Sequence, residues 1–183
     1  MALTKLNYTG QGTIPIANIP TITGAKMPAG SVIQTIQVSK TDTFVTSSTS
    51  ITDVTGLSVA ITPQFSNSKI LVRGYINLGT NSSSFISLLM SRNSTQIFQG
   101  DAEGSRPRVT AMSYQENNPG IINTYTPEFL DSPSTTSSVT YKLQVRVGSG
   151  GGIATVNRSS RHSNNTTFDM VTASSITVME IKG

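Results

Sequence analysis

From Ile70 to Leu78 the sequence ILVRGYINL alternates without a break. Ile70, Val72, Gly74, Ile76 and Leu78 fall on one side of an extended chain, and Leu71, Arg73, Tyr75 and Asn77 fall on the other. One face is apolar, while the other mixes Leu71 and Tyr75 with polar groups. A strand of this kind belongs in the middle of a sheet that is covered on both sides. The stretch before it, residues 53–61, is also rich in apolar and β-branched residues. Pro63, Ser66, Asn67 and Ser68 lie between the two runs, so residues 53–78 are expected to form a hairpin.

The same period of two recurs along the chain. Residues 139–147, VTYKLQVRV, set Val139, Tyr141, Leu143, Val145 and Val147 against Thr140, Lys142, Gln144 and Arg146. Residues 174–182, SSITVMEIK, are apolar on both faces except for Glu180, which predicts a central strand. Residues 31–38 and 43–46 read as strands, and residues 84–90 and 95–98 as a hairpin closed by Ser91, Arg92, Asn93 and Ser94. Residues 109–115 suit a strand. Residues 121–130 hold Pro127 and so suit an edge or an irregular crossing. Residues 153–156, after the glycine cluster 148–152, are placed to pair back on 139–147. Roughly eight to ten short strands between Gly, Pro, Ser and Asn turns, with no amphipathic helix, predict an all-β antiparallel sandwich or jelly roll. At 183 residues one such domain can bury roughly 70% of the surface its unfolded chain exposes, so the absence of cysteine is no obstacle to folding.

Residues 1–28 have neither period. Pro15, Pro20 and Pro28 are interspersed with Ile14, Ile16, Ile19 and Ile22, which suits an extended segment. Each isoleucine side chain gains roughly 1.5–3 kcal/mol on burial, so the segment is read as a docking arm rather than a frayed end. The knob domain is then residues 29–183.

Charged residues make up 12% of the chain, and the net charge of +4 is scattered. There is no basic stripe with aromatic platforms, so no nucleic-acid partner is expected. No window is long and apolar enough to span a membrane, and the N-terminal stretch lacks a secretory core, so synthesis in a cytosol is expected. His162 is the single histidine, which rules out a histidine metal cluster and leaves a catalytic triad hanging on one loop residue. The glycine cluster has no following lysine and helix to make a phosphate loop. Asp101 and Glu103 are a weak signal for a hydrolase or a calcium site. With Arg106 and Arg108 beside them, a solvated, self-neutralising loop is the default. The expectation is a chain with no catalytic residue, no metal and no cofactor.

The motifs GLSVAITPQFSNSKILVRGYINL, FISLLMSRNSTQIF, VTYKLQVRV and SSITVMEI, in that order, resemble the trimeric jelly rolls of the C1q and tumour-necrosis-factor type. They are most similar to versions in structural proteins of tailed bacteriophages, and KMPAGSVIQTIQV resembles the start of such a knob. In these jelly rolls a sheet of first, middle and last strands packs its outer face against two neighbours around a threefold axis. The resemblance groups residues 31–38, 70–78, 139–147 and 174–181 in that sheet. It therefore implies a homotrimer interface at Arg73, Tyr75, Lys142, Gln144 and Arg146. The plainer reading leaves these residues in solvent; Tyr75 beside Leu71 on a central strand favours an interface.

The expected function is a non-enzymatic virion protein, made in the host cytoplasm and docked by its arm on a phage capsid or tail protein. It would be a capsid decoration or head fibre. The alternative is a short tail fibre or fibre tip that binds a host surface glycan. The polar loops carrying Asp101, Arg106, Arg108, Arg158, Arg161 and His162 would then be its receptor surface.

Overall fold

The computed structural model describes residues 23–81, 85–115, 118–148 and 151–183. A 3-10 turn at Gly24–Lys26 precedes β1 (Val32–Lys40), β2 (Phe44–Thr46), β3 (Thr52–Ile61), β4 (Lys69–Thr80), β5 (Phe85–Arg92) and β6 (Thr95–Ile97). There follow β7 (Ala111–Tyr114), β8 (Asn123–Tyr125), β9 (Glu128–Asp131), β10 (Val139–Val147), β11 (Ala154–Val156) and β12 (Ser174–Ile181). They form two antiparallel sheets packed face to face, an all-β sandwich of jelly-roll type.

In the first sheet β12 lies between β1 and β4. Beyond the end of β12, β11 takes over the edge of β4 and carries β2. Short β9 and β8, interrupted at Pro127, run along the other edge of β4. The second sheet has the order β3-β10-β5, with β6 and β7 sharing the far edge of β5.

The inward rows are those that the alternation singles out. Ile70, Val72, Ile76 and Leu78 of β4 and Ile176 and Val178 of β12 are buried. They meet Leu57, Val59 and Ile61 of β3, Tyr141, Leu143 and Val145 of β10, and Ile86, Leu88 and Met90 of β5 in one core. Gly74 leaves no room for a side chain: a Cβ there would be 3.0 Å from Pro127 Cγ at the edge of the same sheet and 3.2 Å from Leu143 Cδ1 of the facing one. The expected hairpin of β5 and β6 is present. Arg92 pairs with Thr95, and Asn93 takes the turn with φ of 52°.

Three expectations of pairing fail. First, β3 and β4 are not a hairpin: β3 pairs with β10, β4 pairs with β12, and residues 62–68 carry the chain from one sheet to the other. That connection is longer than the usual hairpin loop of about 2–5 residues. Second, β10 lies in the second sheet, between β3 and β5, and not beside β4 and β12. Alternation shows that a strand has an inward face, and strands of opposite sheets turn equally apolar faces inward. Third, residues 154–156 pair with β2 and β4 rather than returning to β10.

Residues 23–28 are expected in the arm, yet part of that stretch touches the sandwich. Lys182 Nζ reaches the carbonyl oxygens of Ala25, at 2.9 Å, and Met27. Ile14, Ile16, Ile19 and Ile22 lie outside the described residues.

Candidate functional site

The outward face of the first sheet is built by register. Thr177, Ser175 and Met179 of β12 stand beside Arg73, Tyr75 and Leu71 of β4. On the other side, Glu128 and Leu130 of β9 stand beside Arg73 and Leu71. Thr35, Gln37 and Ser39 of β1 complete the row. Arg73 Nε donates to Glu128 Oε2 at 2.6 Å, and Gln37 Nε2 donates to Thr177 Oγ1 at 2.8 Å. An exposed pair of this kind contributes at most about 1 kcal/mol, so its main effect is to hold the guanidinium in place. Two shallow depressions, of about 370 and 420 Å³, flank Arg73 and Tyr75. Tyr75 and Leu130 are each 46% exposed. A large aromatic in the middle of a sheet, on the same face as Leu71 and Met179, is apolar area that the chain itself leaves uncovered.

Lys142, Gln144 and Arg146 stand on the outward face of the second sheet, on the far side of the core from Arg73 and Tyr75. The five residues therefore do not form one surface. Lys142 Nζ donates to Asp53 Oδ2 at 2.7 Å, Gln144 Nε2 donates to Asp53 Oδ1 at 2.5 Å, and Gln96 Nε2 donates to Gln144 Oε1 at 2.7 Å. The bonds from Lys142 and then Gln144 hold the Asp53 carboxyl below its ordinary range, against the opposing effect of burial. Arg146 has a different setting. It borders a cleft with Phe85, Ser87 and Met112, and its buried Nε has no acceptor among the described residues.

The loop candidates divide into two places. Arg158, Arg161 and His162 belong to the loop between β11 and β12, which Asp169 organises. Its carboxylate accepts from Ser159 Oγ at 2.8 Å, Arg161 Nε at 3.1 Å, and the Ser163 amide at 2.8 Å as well as the Ser163 hydroxyl. Led by the hydroxyls of Ser163 and Ser159, these donors hold the Asp169 carboxyl far below its usual range. A depression of about 420 Å³ opens here, lined by Arg158, His162, Ser163, Asn164, Asn165 and Asp169 among others. The 118–121 turn joins this end of the sandwich, since Pro119 O accepts from the Arg161 amide at 2.9 Å. Asp101, Arg106 and Arg108 are elsewhere, beside the edge of the second sheet. There Arg108 Nε donates to Gly100 O at 2.7 Å, and Arg106 pairs with Glu103. Among the described residues, no group of three or more His, Cys, Asp or Glu is placed to hold a metal ion, and no helix is long and apolar enough to cross a membrane.

Two buried carboxylates do structural work. Asp131 of β9 accepts from Arg92 NH1 at 3.0 and 2.9 Å and from the Tyr141 hydroxyl at 2.7 Å, so it joins the two sheets through the core. Burial first, and then this bond to Asp131, pushes the Tyr141 phenol well above its ordinary range. Nothing in the sequence singles out Asp131, which reads as the start of a polar loop. Glu180 of β12 accepts from Gln34 Nε2 at 2.6 Å, Ser68 Oγ at 2.7 Å and the Gln64 amide at 2.8 Å. It does carry a signal, as the one charged residue in an apolar strand. No protein-family model and no curated protein matches this chain.

Proposed function

We propose that the chain is a non-enzymatic structural protein of a tailed-phage particle, assembling as a homotrimeric knob of the C1q and tumour-necrosis-factor type. The observation that carries this reading is the outward face of the first sheet. Its strands β1, β4 and β12 are the first, a middle and the last, three of the four that the sequence resemblance groups at the threefold interface; the fourth, residues 139–147, is β10 of the other sheet. At its centre Tyr75 is 46% exposed between apolar and hydrogen-bonding neighbours, a composition suited to a subunit contact. In the particle, the knob would decorate the capsid or form a head fibre, with residues 1–22 supplying the docking segment.

Light scattering on the purified protein should give three times 19.4 kDa. A monomer that persists at micromolar concentration and above would overturn the assembly. Removing residues 1–22 should leave the trimer intact and abolish its incorporation into particles; undiminished incorporation would remove the docking role.

A second reading, a short tail fibre or fibre tip that binds a host surface glycan, is favoured by the depression at Arg158, His162, Asn164 and Asn165. Amide, hydroxyl and imidazole groups around a shallow hollow suit a polyhydroxylated ligand. Purified knob should then compete with particles for host cells, and no competition at saturation would count against this reading.

A further inference from the structure

We propose that the cleft bordered by Arg146 is a second ligand site, and that it takes an acidic sugar, a hexuronate unit of a polysaccharide. Its floor is the outward face of β5 and β10, where Ser87 pairs with Arg146. Phe85, Met112, Pro107 and Val109 supply apolar walls around a space of about 320 Å³, at the small end of ligand pockets. The ring of Phe85 is stacked on Tyr114 with centroids 4.6 Å apart, which braces that wall. Phe85 and Met112 are 46% and 54% exposed.

The charge in this cleft is unbalanced. Among the described residues that line it there is no carboxylate, and Arg146 Nε is buried with no acceptor. The Nε itself is closed to solvent, so an entering ligand meets the rest of the guanidinium, and a carboxylate is the acceptor which that planar fork fits best. Lys142 and Gln144, on the same face of the same strand, are satisfied by Asp53, whereas the Nε of Arg146 is not. A pyranose ring with a carboxylate at one end offers both parts: an anion for Arg146, and a C–H face for Phe85 and Met112. Ser87 also lines the cleft and offers a hydroxyl to a ring substituent. The cleft also opens to solvent, which lets a sugar enter as one unit of a longer chain. This site is separate from the face at Arg73 and Tyr75 and does not depend on the particle role.

The test uses the full chain with its methionine methyl groups labelled for NMR. Glucuronate should shift the Met112 methyl saturably, with glucose giving no saturable shift. Arg146→Gln should weaken the response roughly 10- to 100-fold, the loss expected of a charge-assisted bond, with an unchanged melting curve. Phe85→Ala should weaken it without altering the preference for glucuronate over glucose. Benzoate is the second acid: if it binds as well as glucuronate, the assignment to a sugar is overturned. A Met112 methyl that does not respond to either acid up to roughly 100 mM, well above the millimolar range of weak ligands, would overturn the site. So would equal binding by Arg146→Gln.

Discussion

Replacing Glu180 by glutamine tests how the last strand is tied to the rest of the chain. The carboxylate is fully buried and accepts from Gln34 of β1, from Ser68 and from the Gln64 amide, with the Phe65 amide farther off at 3.4 Å. Every partner is a donor, and three of the four belong to the connection that crosses between the sheets. A glutamine of the same shape presents an NH2 where only acceptors are wanted, so at least one buried donor loses its partner. A bond to a charged acceptor contributes about 1.5–3 kcal/mol, and a buried group left unpaired costs about 1–3 kcal/mol. The substitution also removes the cost of desolvating the carboxylate, so these figures do not add. The expected loss is about 2–4 kcal/mol. At about 2–4 °C per kcal/mol for a chain of this size, Tm should fall by about 5–15 °C.

The pH dependence gives a second readout for the same residue. Burial alone would raise the Glu180 carboxyl; the bonds from Gln34, Ser68, Gln64 and Phe65 outweigh it and hold the group below its ordinary 4.5. A lowered folded-state pKa means that the stabilisation is complete above the unfolded value and is lost as pH falls through the folded one. The gap between wild type and Glu180→Gln should therefore be constant above pH 4.5 and close below it. Urea unfolding at fixed protein concentration measures both effects. A deficit under about 0.5 kcal/mol at neutral pH, or one that survives unchanged into strong acid, would refute the reasoning.

The other predictions concern the sheet-to-sheet staple and the exposed face. Asp131→Ala strands Arg92 and Tyr141 and should cost about 3–5 kcal/mol in urea unfolding; a loss below about 1 kcal/mol would mean that the two donors find other partners. Arg73→Glu sets a second carboxylate opposite Glu128, and Tyr75→Ala removes the central apolar surface. Under the proposed assembly each should yield smaller species in light scattering while the far-ultraviolet spectrum of the folded subunit is retained. A heat-resistant trimer in both variants would show that the face serves something else.

The inward rows were legible because a period of two needs only one buried side, and Ile70, Val72, Tyr141, Leu143, Ile176 and Val178 all follow it. Sheet membership was not legible, since strands from facing sheets write the same pattern. The pairing of β10 with β3 and β5 depends on connections that lie far apart in the chain. A local departure from the period was readable only afterwards. Val54 and Leu57 are both buried because Gly56, at φ of 87°, takes up the extra residues of a bulge in β3. At the candidate site, Arg73 and Tyr75 fell on one outward face as expected, while Lys142, Gln144 and Arg146 did not join them.

That separation sharpens what distinguishes one outward face from the other. Both alternate polar and apolar residues, so exposure alone does not rank them as contact surfaces. What differs is where the apolar area lies: on the second sheet the exposed Phe85 and Met112 gather at the Arg146 cleft, away from the row of Lys142 and Gln144. Lys142, Asp53, Gln144 and Gln96 form a continuous chain of hydrogen bonds within the subunit. Covering that chain would desolvate charges without offering them better partners. On the first sheet Arg73 and Glu128 are paired as well, but Tyr75, Leu71, Met179 and Leu130 surround them with apolar area that gains about 25 cal/mol per Å² when water is excluded. A partner that buries this face loses little from one pre-oriented ion pair and gains the whole apolar surround. On the second sheet Arg146 Nε is one of three buried polar atoms, with Ser91 Oγ and Gln96 Oε1, that have no partner among the described residues, and it is the one that belongs to a cation. The proposed partner face and the proposed acid cleft thus differ in which groups stand next to one another across strands, a property that depends on register and not on the sequence of either strand taken alone.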